Sequence, residues 1–250
     1  MDKNEVGWLE DLISNAKLEG GYSLDGDEKA ILSATSRFKI IRGKYQDAQL
    51  PNDLINEDIE SWDIANDYAK RRLSPAIKKR KQSIRNFIKQ FMRVLPLLCS
   101  GEALIFQSSS GVTREARNLW LRGRSQSGKS LLATLIAKHG VELGLKTRYY
   151  NWVDIARAVL NVENQSEYQS VYNDCLNFDL IVIDGVKPPN SDKPYVRDQL
   201  EALALARLRS GKCTIITSDT KSFNLDANHP WYSLVKTCRP IDLPSPVTEV

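Results

Sequence analysis

The sequence predicts an α/β protein, a parallel sheet flanked by helices. Three observations carry this. From about residue 103, five short β-rich runs follow one another: "NLWLRG", "TRYYNW", "DLIVID", "TIITSD" and "PIDLP". Helical patterns at 129–143, 154–176 and 194–210 separate four of them. Strands alternating with helices imply crossover connections and parallel neighbours. Third, a glycine-rich stretch, "GRSQSGKS", joins the first of these runs to the first of these helices.

In chain order, residues 4–18 and 27–40 read as two short helices, with "EGGYSLDGDE" between them as a turn. Together they form a small helical N-terminal module, 1–40. Residues 41–102 follow as a linker, "KYQDAQLPNDL", a helix over "NEDIESWDIANDYAKRRL", and a basic helix after Ser74-Pro75. On that last helix Ile77, Ile84, Ile88, Phe91 and Leu95 form one apolar stripe. The α/β domain occupies 103–250; it opens on the strand "ALIFQ" and the loop "SSSGVTRE".

Composition narrows the class. The chain has 250 residues, 42% apolar and 26% charged, as globular domains have. No apolar run approaches the roughly 18 residues that span a membrane. The acidic N-terminus lacks an apolar signal region. Four scattered cysteines without a C-x-x-C pair argue against zinc and for a reduced cytoplasmic compartment.

Charge is polarised. From Tyr68 to Gly101 there is no acid, and that stretch carries +10, against +4 for the whole chain. Lys78, Lys79, Arg80, Lys81, Arg85 and Lys89 are its candidate DNA-binding residues, through phosphate contacts; a merely solvated face and a membrane-surface helix are the alternatives.

"GRSQSGKS" matches G-x-x-x-x-G-K-[ST] in the strand-to-helix context the motif requires. Its glycines let backbone N–H groups wrap a phosphate, and the helix that follows adds the positive end of its dipole. The candidate nucleotide-binding set is Gly123, Arg124, Ser125, Gln126, Ser127, Gly128, Lys129, Ser130 and Leu131. Lys129 would reach the β- and γ-phosphates of ATP, and Ser130 with Asp184, at the end of "LIVID", would hold Mg²⁺. Ser218 and Asp219 end the next strand, at the carboxyl edge where open α/β sheets bind ligands, and are candidates to face the γ-phosphate or the attacking water, with Asp219 the catalytic candidate; an ordinary N-cap for the following turn is the alternative.

From "KYQDA" onward the chain resembles AAA+ replicative-helicase loaders of the DnaC/DnaI type and their IstB-type transposition relatives. The resemblance rests on the two Walker motifs, "GLKTRYYNWVDI", "LARLRSGKCTIITSD" and "LVKTCRPIDLP", and covers roughly 41–245. It implies an AAA+ type sheet, ATP and Mg²⁺, and contact with DNA and a replicative helicase or other replication or transposition protein. It also raises self-association into a homo-oligomer, with Arg207 as a candidate arginine finger; a solvated helix end is the plainer account of that residue. The chain departs from the family pattern at three points. Gly185 stands where an acid usually follows the Walker-B aspartate, Asp219 where an asparagine usually ends the fourth strand, and Ser233 near a usual arginine. Binding is expected to survive and hydrolysis to be slow or absent. Three functions stay open: a helicase-loader-like accessory factor, an IstB-type transposition regulator, and a small-molecule phosphotransferase.

Overall fold

The computed structural model describes residues 40–59, 62, 75–107, 113–161, 165–187, 194–219 and 229–244. The N-terminal helix expected at 4–18, all but the last residue of the one expected at 27–40, and most of the helix expected over 56–73 lie outside these residues. The chain divides into two compact units, Met1–Lys44 and Tyr45–Val250. Only 40–44, which are helical, are described in the first; all that follows concerns the second.

Its elements are α1 (Pro75–Arg93), α2 (Leu95–Cys99), β1 (Leu104–Gln107), β2 (Thr113–Ala116), β3 (Asn118–Arg122), α3 (Lys129–Glu142) and β4 (Thr147–Asn151). Then come α4 (Trp152–Leu160), α5 (Gln165–Asn177), β5 (Leu180–Val186), α6 (Pro194–Ser210), β6 (Cys213–Ser218), α7 (Tyr232–Val235) and β7 (Cys238–Asp242). Five strands form one sheet in the order β4-β5-β6-β3-β7. Every pairing in it is parallel. The helical pattern over 154–176 resolves into two helices, α4 and α5.

The strand runs explain this sheet. "LIVI" in β5 and "CTII" in β6 are buried along their whole length, as strands covered on both faces must be. Period-two alternation divides their side chains between two clusters. Leu119, Leu121, Tyr149, Val182 and Ile215 face α3 and, beyond it, Ile84, Ile88 and Phe91 of α1. Trp120, Ile181, Ile183 and Ile216 face α4, α5 and α6, with Trp231 packed edge-on against Trp152, ring centroids 5.4 Å apart. The 41–102 segment thus supplies Tyr45, Ala48, Leu50 and Trp62, as well as α1, to the core of the P-loop domain.

One strand was not visible in the pattern. Thr113–Ala116, which overlaps the stretch read as a loop, pairs antiparallel with β1 in a separate two-stranded sheet. "TREA" has no apolar alternation, so its pairing depends on β1 rather than on its own burial.

Candidate nucleotide-binding site

The loop 123–128 leaves the carboxyl end of β3 and hands the chain to α3. Gly123 N donates to the Ser218 carbonyl at 3.3 Å, and Ser127 N to Arg124 at 3.2 Å. Two left-handed residues, Gln126 at φ 63° and Gly128 at φ 84°, curl the loop. Gly128 is required twice over. A side chain there would be strained, and its Cβ would sit 2.3 Å from Cδ1 of Trp62. No side chain caps α3, so its first N–H groups and dipole are left to an anion.

Lys129 folds across the loop, its Nζ donating to the carbonyls of Gly123 and Arg124, each at 2.8 Å. Burial holds its ammonium below the usual lysine range, although the nearby charges of Asp219 and Asp184 act the other way. A bound phosphate would supply the missing compensation. Ser127 Oγ is buried in the loop without a hydrogen bond, a group a phosphate oxygen would satisfy. Arg124, Ser125 and Gln126 are exposed at the tip. The Leu131 side chain is buried in the core, so only its backbone is available to a ligand.

On the other side of the loop, Ser130 Oγ donates to Asp184 Oδ1 at 3.1 Å. Thr217 Oγ1 donates to the same oxygen and accepts from Gly185 N at 2.8 Å. The Tyr149 hydroxyl and Thr134 Oγ1 are buried close by; the tyrosine hydroxyl nears Thr134 and Asp184 without closing a hydrogen bond of good geometry to either. Burial, and then the Asp184 charge, push its pKa up. Among the described residues no group of three or more His, Cys, Asp or Glu side chains forms a metal site by itself. A single carboxylate and a hydroxyl nonetheless fit Mg²⁺, which keeps most of its waters and is completed by phosphate oxygens. Ser130 and Asp184 would hold it; bound there, the ion neutralises phosphate charge.

The missing acid has a backbone correlate. Register between β5 and β6 slips between Ile183 and Val186. Gly185 sits in that slip with φ 74°, and the space a Cβ would take is open.

Asp219 follows β6 close enough for its charge to act on Lys129, which brings it to the phosphate side. Ser218 is buried on the opposite parity and accepts a 2.8 Å hydrogen bond from Trp120 Nε1, so it does not face the loop. Arg207 requires a correction. It is 1% exposed, and its guanidinium donates to Thr214 Oγ1 and to the carbonyls of Cys175, Phe178, Asp179 and Cys213. It ties α5, α6 and β6 together, so it is neither an outward finger nor a solvated helix end. Lys81 also departs from expectation: it is buried, its ammonium 5.4 Å from the Trp62 ring centroid. Lys78, Lys79, Arg80 and Lys89 are exposed and Arg85 half-buried; Arg80 Nη2 also donates to the Asp242 carbonyl at 3.0 Å.

Sequence reasoning missed Thr217, Tyr149 and Trp62. Strand parity was the available signal for Thr217, which shares a face with Ile215 two residues earlier. Trp62 lies 65 residues from Ser127, and nothing local announces its contact.

A P-loop whose serine meets a carboxylate from the next strand but one, on a parallel sheet covered on both faces, defines an ATP-binding α/β domain of the AAA+ type. Residues 105–229 match the family described as IstB-like ATP binding protein, and the chain belongs to that family. No curated protein matches it. Among solved structures it is similar to the DnaC helicase loader, with TM-score 0.50 and 15% identity over 66% of this chain and 90% of that one. It is similar to DnaI, with TM-score 0.51 and 11% identity over 78% and 92%. AMPPCP-bound DnaA from Aquifex aeolicus matches with TM-score 0.50 and 15% identity over 66% of this chain, which spans 47% of that protein. At these identities the likeness concerns the fold. No helix among the described residues is long and apolar enough to cross a membrane.

Proposed function

We propose that this protein is an ATP-binding replication accessory factor resembling a helicase loader, in which Mg·ATP is an assembly switch on DNA or a partner helicase. One observation carries the reading. The residues expected to bind are brought together, with Lys129 in the loop and Ser130 hydrogen-bonded to Asp184 at 3.1 Å, while the position after Asp184 is a left-handed glycine without a carboxylate. Phosphoryl transfer depends on positioned charge around the attacking water and the γ-phosphate. A site that binds but lacks the water-orienting group uses ATP as a clamp and turns it over slowly. The exposed Lys78, Lys79, Arg80 and Lys89 give α1 a face for phosphate contacts of little sequence preference. Four free, buried cysteines accord with a cytoplasmic location.

Calorimetric titration of Mg·ATP into the wild type and Lys129→Ala tests the site. Tight binding is expected in the first and none in the second; equal affinities would sink the assignment. A second reading, an IstB-type transposition regulator that binds DNA and recruits a transposase, is favoured by the family match over 105–229. Affinity capture from the native host in the presence of Mg·ATP separates the two: a replicative helicase supports the first, a transposase the second.

A further inference from the structure

We infer that Trp62 positions the phosphate loop and links it to the basic helix α1, a regulatory role that rests on the nucleotide-switch reading above. Trp62 is fully buried, and its Nε1 donates to the Ser127 carbonyl at 3.0 Å. In a trans peptide the carbonyl and the next N–H point in opposite directions. Holding the Ser127 carbonyl against the indole therefore aims Gly128 N–H away from it, towards the side from which a phosphate approaches. The ring lies so close to Gly128 that a Cβ there would be 2.4 Å from Nε1. The loop cannot shift towards the ring at Gly128 without moving the indole. Beyond the indole is the Lys81 ammonium, 5.4 Å from the ring centroid and within cation–π range. Lys81 lies on α1, between the exposed Arg80 and the buried Ile84. The contiguous path runs from the peptide that addresses phosphate, through one aromatic ring, to the helix that carries the basic face.

The test uses the full-length protein. Trp62→Phe keeps the aromatic bulk and deletes the N–H donor. Affinity for both Mg·ATP and ADP should fall about 3- to 10-fold, the effect of one hydrogen bond, equally because the loop addresses phosphates common to both. The ATP-induced change in tryptophan fluorescence of the wild type, which has five tryptophans, should largely vanish in the variant. Lys81→Met keeps the aliphatic stem and removes the charge. In it the ratio of DNA affinities with and without ATP should fall towards one, while the salt dependence of DNA binding is kept. Unchanged nucleotide affinity in folded Trp62→Phe overturns the inference and leaves ATP binding standing. So does a nucleotide effect on DNA binding that is undiminished in Lys81→Met, which decides the matter if Trp62→Phe does not fold. A wild type that binds nucleotide but whose DNA affinity ignores it overturns the link. A wild type that binds no nucleotide fails the underlying reading instead.

Discussion

Replacing Gly185 with glutamate restores a carboxylate immediately after Asp184, and the structure sets both its penalty and its gain. Gly185 has φ 74°, while the space for a Cβ is empty. The penalty is therefore backbone strain without a clash, about 1–2 kcal/mol for a non-glycine residue in the left-handed region. In a domain of this size, 1 kcal/mol lowers Tm by roughly 2–4 °C, so a fall of about 2–8 °C is expected. The hydrogen bond from Gly185 N to Thr217 Oγ1 belongs to the backbone and is open to any residue. The gain is a general base for the attacking water, on the order of 10²–10⁴ in rate. Gly185→Ala carries the same strain without the acid and isolates the carboxylate. Single-turnover hydrolysis of Mg·ATP by wild type, Gly185→Ala and Gly185→Glu is the assay. A glutamate variant no faster than the alanine variant would refute the claim that a water-orienting carboxylate is what the site lacks.

Two further outcomes follow from the placement of the basic residues. Arg207→Met should lower stability by roughly 2–5 kcal/mol, because it leaves several buried carbonyls without a donor, each costing about 1–3 kcal/mol. Thermal unfolding reads that loss, and a variant of wild-type stability would contradict the structural role. Reversing the exposed Lys78, Lys79 and Lys89 to glutamate should weaken DNA binding broadly and flatten the slope of log affinity against log salt by roughly one for each phosphate no longer neutralised; an unchanged slope would leave α1 a solvated face.

The order of strands and helices was legible because burial on both faces leaves continuous apolar runs, and because the P-loop motif is local in sequence. Ser130 and Asp184 come together as expected, since the motif and the end of β5 share one edge of the sheet. What was missed depends on packing between distant segments. Even there a periodic signal existed. Val196, Leu200, Leu203 and Ala204 line the buried face of α6, and Arg207 continues that stripe three residues after Ala204. Lys81 stands three residues before Ile84 on the buried face of α1. In both cases the charge of the residue type outweighed its position on the helix. Tyr149 and Trp62 carry no such mark; each acquires its place only when the sheet edge or the loop is built against it.

In the proposed role, the site binds Mg·ATP and holds it. Wild-type protein saturated with Mg·ATP, with and without DNA, should retain the nucleotide unhydrolysed with a turnover rate well below about 1 s⁻¹, the lower end of ordinary enzyme rates. Turnover at or above that rate in either condition, or failure to bind Mg·ATP at all, would contradict it.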